Sequence, residues 1–136
     1  MPKRVQRKRT AGWTAPLDAQ GRKPIYVGRG TRYGNPWAVI HLTTGTGWAV
    51  QWAGHRDQHR PLGLKDLVPA NDQRDAHALA VELYENWVHA HPTLLDRICR
   101  DLAGRDLMCW CAESLPCHVD ALLRIANPER TAQCEP

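Results

Sequence analysis

The sequence predicts an α/β fold: a mostly parallel sheet covered by helices, with a basic arm at the N-terminus. Three observations point there. Short apolar bursts at 25–27 and 107–111 each run into a polar or glycine-rich loop. Two stretches with helical spacing separate these bursts, and a third follows the second burst. Strands that alternate with helices pair in parallel and bury both faces of their sheet.

The elements follow in order. "MPKRVQRKRT" places Lys3, Arg4, Arg7, Lys8 and Arg9 among the first nine residues. Residues 1–32 hold nine Lys/Arg and one acid, a net of +8, and the rest of the chain holds nine Lys/Arg and thirteen acids, a net of −4. Residues 1–24 therefore read as a basic arm suited to a phosphate-rich partner. "PIYVG" at 24–28 reads as a buried strand over 25–27, and "WAVIHL" at 37–42 as a second strand. Residues 43–72 read as an irregular insertion or flap, within which "GWAVQWAG" has strand character. From Asp72 to about His89, Ala76, Leu79, Ala80, Leu83 and Trp87 recur at helical spacing, with Asn71 or Asp72 as the cap. A second helix begins at "HPTLLD", with Thr93 as cap and Asp96 at the capping-box position, and Gly104 ends it. "DLMCWC" is a strand, and "CHVDALLRIAN" a last helix buried through Val119, Leu122, Leu123 and Ala126. One α/β domain thus spans 25–127, with a tail at 128–136.

Composition excludes some classes. No window of about eighteen apolar residues occurs, as a membrane span needs. The charged N-terminus lacks the apolar core of a secretory signal. Three of the five cysteines are bunched, unlike a secreted disulfide framework. A cytoplasmic protein is expected. In a reducing compartment, bunched Cys and His mean metal, catalysis or burial.

The bunch lies in "LMCWCAESLPCHVDALL", with Cys109, Cys111, Cys117 and His118. Three readings stay open. As a zinc cage, all four would be ligands, although two cysteines inside one strand and an adjacent Cys-His pair are unusual spacing. As an activated thiol, Cys117 sits at a helix start, where the dipole lowers a thiol pKa. His118 and Glu113 would then be acid/base partners. As plain core, Cys109 and Cys99 would simply be buried. Trp87 and Trp110 also read as core.

"YVGRGTRYGNP" holds glycines that let backbone N–H groups approach an anion, at Gly28 above all. Arg29 and Arg32 offer planar forks for phosphate or carboxylate. Tyr33 and Trp37 offer rings on which a base can stack, and Asn35 completes the loop. If the strands at 25–27 and 107–111 are parallel, both following loops open at the sheet's C-terminal edge, where α/β proteins bind ligands. The Gly/Arg loop and the Cys/His loop would then face one pocket, with Cys111 in its wall.

"KRVQRKRTAGW", "YVGRGTRYGNPWAV", "AVELYENW" and "LAGRDLMCWCAESLPCHVDALLRIAN", in that order, resemble a family from actinobacteria and their phages, domain of unknown function 4326. The resemblance covers nearly all of the chain except 43–72 and the last residues. It implies no activity. "LMCWCAESLPCHV" is also similar, more distantly, to an uncharacterised α/β family whose last helix starts with "CHR". Val119 stands where that family has arginine. This likeness implies a small Rossmann-like three-layer domain with a ligand over Cys117 and His118.

Three functions are therefore expected, in this order. The first is a nucleotide- or nucleic-acid-handling α/β protein, an enzyme of transfer or hydrolysis, with no cofactor required and zinc an option. The second is a non-enzymatic nucleic-acid-binding module with structural zinc. The third is a phage-encoded inhibitor of a host factor acting through 43–72. The sequence leaves the oligomeric state open.

Overall fold

The two apolar bursts at the ends of the domain meet side by side. The structure, a computed structural model, describes residues 2–54, 58 and 66–128. Its first sheet has three parallel strands: β1 (Arg4–Gln6), β2 (Ile25–Tyr26) and β6 (Leu107–Cys109), in the order β1-β6-β2. Its second sheet is antiparallel: β3 (Trp37–His41), β4 (Trp48–Trp52) and β5 (Leu67–Ala70), in that order. Three helices complete the fold: α1 (Gln73–His89), α2 (Pro92–Leu102) and α3 (His118–Ala126). No helix among the described residues is long and apolar enough to cross a membrane.

The α/β class and the parallel pairing of β2 with β6 agree with expectation, with Ile25 opposite Leu107 and Tyr26 opposite Met108. A single mostly parallel sheet does not form, because half of the strands make a separate antiparallel sheet.

The parallel strands have only two or three residues each. A backbone hydrogen bond nets only about 1 kcal/mol, so so short a ladder cannot hold itself. Burial holds it. Side chains alternate along a strand, and Leu107 and Cys109 both enter the core while Met108 between them is half-buried. Val5 and Val27 are buried beside them. Each such aliphatic side chain contributes about 1.5–3 kcal/mol when fully buried.

The sequence leaves the order of the basic N-terminal arm open, and residues 4–6 within it are ordered. They form β1 along β6, with Arg4 opposite Leu107, Val5 opposite Met108 and Gln6 opposite Cys109. The Leu107 N–H donates to the Lys3 carbonyl (3.0 Å), and the Arg7 N–H donates to the Cys109 carbonyl (2.7 Å). The buried Asp106 carboxylate accepts the Lys3 backbone N–H at 2.9 Å. One apolar residue, Val5, is enough to dock the strand because β6 offers an unpaired edge there.

The segment 43–72 is likewise not all irregular. It contains β4 and β5, with Val39 opposite Val50 and Val50 opposite Val68. Pro69 is tolerated because β5 is an edge strand. Residues 55–57 and 59–65 of the expected flap, and 129–136 of the expected tail with Cys134, lie outside the described residues.

Helix α1 joins the two halves. Its first turns bury the small Ala76 and Ala80 with Trp37, Val50 and Ala70 of the antiparallel sheet. Its last turns bury Tyr84, Trp87 and Val88 in the larger core with Leu107, Leu122 and Ile125. Asp72 caps it as expected, accepting the Asp75 N–H at 2.8 Å. Thr93 does not cap α2. That position falls to His91, because Pro92 already has the backbone angle of a first helical residue. Gly104 follows the end of α2 with φ +74°, the left-handed conformation that glycine accepts most readily.

Candidate functional site

Strands β2 and β6 run the same way, so the segments that leave them emerge together. A cavity of about 460 Å³ lies there. Gly28, Arg29 and Asn35 line it from the Gly/Arg loop. Cys109, Trp110, Cys111, Pro116, Cys117 and His118 line it from the cysteine segment. Tyr26, Trp37 and His77 add further walls. The single pocket expected from the parallel pairing is present.

Its floor is a cluster of thiols. The sulfurs of Cys109, Cys111 and Cys117 lie within 4.8 Å of one another, the one such set among the described residues that could hold a metal ion. Cys109 and Cys117 are buried and Cys111 is half-buried, and all three are free thiols. The Cys109 and Cys117 sulfurs are 3.2 Å apart. Chain geometry explains the convergence. Cys109 ends β6, Cys111 sits two residues on, and Cys117 is the N-cap of α3. The Cys117 N–H donates to the Asp120 carboxylate at 3.1 Å, which fixes the helix start.

The thiols share their protons. Cys109 is pushed well below the ordinary thiol pKa, first because Cys111 donates to its sulfur, then Cys117, with the Cys111 backbone N–H adding to both. Cys111 is pushed up to about 11, chiefly by its hydrogen bond to Cys109. Cys117 is pushed up further, by Cys109 first, then Cys111, then burial. The three thiols titrate as one coupled group, with hydrogen bonds from its neighbours favouring the thiolate at Cys109. At Cys117 the helix dipole favours the thiolate, while the two neighbouring sulfurs and burial oppose it.

His118 is buried against the Tyr84 ring, at 5.2 Å between centroids. Its Nε2 meets the Val27 carbonyl at 2.8 Å, so Nε2 carries the proton and donates. Nδ1 is then left as an acceptor, 3.5 Å from the Cys117 sulfur. Burial pushes the His118 pKa down, against the hydrogen bond to Val27. A neutral ring anchored in this way bridges β2 to the cysteines. Its nitrogen is not among the ligand atoms within 4.8 Å of one another, so the four-ligand cage is not assembled.

Arg4 is the residue that sequence reasoning misplaced most usefully. Its Nη1 reaches Asp120 at 3.1 Å and its Nη2 donates to the Ala112 carbonyl at 2.6 Å. Burial works against its charge, but Cys117, then Asp120, then Cys109 and Cys111 outweigh that and raise its pKa. Period-two alternation could have shown that Arg4 and Val5 take opposite faces. Nothing local showed which strand they would join.

Other expected site residues are separated from the cavity or engaged by the fold. Glu113 is exposed and lines none of it, because the loop 110–116 turns it outward. Arg32 lines a second cavity on the far side of its loop, with Trp87, Pro92 and Arg97. Tyr33 is buried, and its hydroxyl donates to Asp101 at 2.8 Å, so it offers no stacking face. Asn35 lines the cavity, but its amide serves the fold, donating to the Ala80 carbonyl and accepting the Trp37 N–H. Trp110 is not core. It is 39% exposed, with Arg7 and Arg9 over its ring at 4.9 and 4.7 Å. Arg7 also covers the Tyr26 ring, at 5.1 Å.

No curated protein and no solved structure matches this chain. One family model does, over residues 5–128, from the first strand through the Gly/Arg loop and the cysteine segment to the end of the last helix. The chain therefore belongs to the family of domain of unknown function 4326.

Proposed function

We propose that the protein binds a nucleotide, free or within a nucleic acid, in the cavity between the Gly/Arg loop and the cysteine segment, and carries out transfer or hydrolysis on it. The observation that carries this reading is the meeting of both loops in one cavity of about 460 Å³, within the range of small-molecule sites. The reading takes the ligand to lie as in a Rossmann-like domain, over the C-terminal ends of β2 and β6. Arg29, exposed at the cavity wall, is the cation that meets phosphate. Tyr26 and Trp110 supply aromatic walls for a base. Cys117 and His118 lie at the reacting end, where the His118 Nδ1 lone pair accepts a proton from a thiol or a substrate hydroxyl.

Arg7, Lys8 and Arg9 are exposed beside Trp110. In this reading they lie along the backbone of a nucleic-acid substrate. Zinc on the clustered cysteines is the cofactor that suits them, since thiolates select it.

The test is a panel of nucleosides, nucleotides and short oligonucleotides screened by thermal shift. A phosphorylated member should raise the melting temperature of the wild type, and Arg29→Ala should lose most of that shift. No response to any member, with the fold intact, would remove the nucleotide reading.

A further inference from the structure

We infer that Cys109, Cys111 and Cys117 hold one metal ion of the zinc class through three thiolates, with its fourth coordination position open to the cavity. The inference rests on the zinc part of the reading above and on no particular substrate. Three features carry it.

The first is spacing. A tetrahedral zinc with Zn–S bonds of about 2.3 Å needs sulfurs about 3.8 Å apart. The three sulfurs lie within 4.8 Å of one another, and the closest pair, at 3.2 Å, has only to open by a fraction of an ångström. Such spacing suits one ion and is too tight for a cluster of several.

The second is charge and support. Three thiolates with a divalent ion carry a net −1, and a buried negative centre needs a partner. Arg4 supplies it: its guanidinium interacts with all three cysteines and is tethered by Asp120 and the Ala112 carbonyl. The N-terminus of α3 lies at Cys117, whose own N–H is held by the Asp120 carboxylate at 3.1 Å. Contacts of this kind orient thiolate ligands.

The third is the open side. All three cysteines line the cavity. His118 places Nδ1 3.5 Å from the Cys117 sulfur, but this nitrogen does not lie within 4.8 Å of all three sulfurs, so the ring stands at the edge of the site and not among its three ligands. Structural zinc sites close all four positions with protein ligands, whereas catalytic sites keep one for water or substrate. The fourth ligand here is therefore water, or an oxygen, nitrogen or sulfur donor of the molecule in the cavity.

The experiment uses the full chain, purified under reducing conditions, stripped of metal and titrated with Co(II). One equivalent should bind with sulfur-to-cobalt charge-transfer bands and the visible spectrum of a tetrahedral ion, and Zn(II) should displace it. Cys111→Ser, at the half-buried position, should keep its circular dichroism, lose about a third of the charge-transfer intensity and bind more than about tenfold more weakly. Azide should shift the visible bands of the wild-type Co(II) protein by entering the open position. Failure to bind near one equivalent would overturn the zinc reading and this inference together. Tight binding with azide-insensitive bands that change in His118→Gln would keep zinc and overturn the open position.

Discussion

At the scale of single residues, buried polar side chains hold the site in place. Tyr84 is fully buried and its hydroxyl donates to the Tyr33 carbonyl at 2.7 Å, tying α1 to the Gly/Arg loop. Tyr84→Phe should cost about 1–2 kcal/mol in chemical denaturation, because the carbonyl is left without its donor in the core. Arg4 ties β1 to the cysteine segment through two charge-assisted contacts. Arg4→Met keeps the stem and removes the charge. It should cost about 2 kcal/mol, and it should weaken metal binding more than a surface substitution such as Arg100→Met, since Arg100 pairs with Asp96 at the surface. Equal metal affinity in the two variants would show that Arg4 has no electrostatic part in the site.

At the scale of elements, the N-terminal strand deserves the name strand more than arm. Its hydrogen bonds to β6 and the anchor from Asp106 make it part of the sheet whose end carries Cys109. Deleting residues 1–6 should therefore destabilise the whole domain, where a solvated arm would leave its melting temperature unchanged. The basic residues that stay exposed are Arg7, Lys8 and Arg9, with Lys3 also at the surface. If these meet nucleic acid, affinity should fall as salt rises, with the slope reduced by roughly one for each phosphate contact removed. Lys8→Ala against wild type, measured on one oligonucleotide from low to moderate salt, reads this directly. Identical slopes would take Lys8 out of the interface.

Element by element, legibility in the sequence followed the range of the forces. Helices α1 and α3 were legible because their apolar spacing is local, and the caps Asp72 and Cys117 lie where the pattern begins. The parallel pairing of β2 with β6 was legible because each burst runs into a loop with helices between them. From that pairing the shared pocket followed. Strand β1 was not legible, since Arg4–Gln6 has one apolar residue and its partner lies about a hundred positions away. Strand β5 was hidden by Pro69, which only an edge position permits. Arg29 and Arg32 are three apart and chemically alike, so only the folded loop separates the one at this cavity from the one behind it. Trp110 read as core because large aromatics usually are. The two arginines on its ring made exposure tolerable.

At the scale of the whole molecule, two sheets and α1 enclose a cavity whose walls come from opposite ends of the chain. Its histidines give it a pH dependence. His77 lines the cavity, and burial, then the positive charge of Arg4, pushes its pKa below the ordinary 6.5. The unfolded chain then binds a proton more readily than the folded one. His77 contributes its full stability above pH 6.5 and loses it as pH falls from there through the lower folded-state value. Stability of the metal-free protein should decline on acidification below that point, and His77→Gln should flatten the decline. An unchanged profile would place the acid sensitivity elsewhere.

In the proposed function the Gly/Arg loop and the cysteines form one ligand site. The most direct measurement is the rate at which iodoacetamide alkylates Cys111, the half-buried thiol of the cavity, in metal-free protein with and without the nucleotide that gives the largest thermal shift. The nucleotide should slow alkylation of Cys111 in the wild type and fail to do so in Arg29→Ala at the same concentration. Saturating nucleotide that leaves the Cys111 rate unchanged in the wild type would contradict this, because a ligand held by Arg29 would then leave the cysteine end of the cavity open.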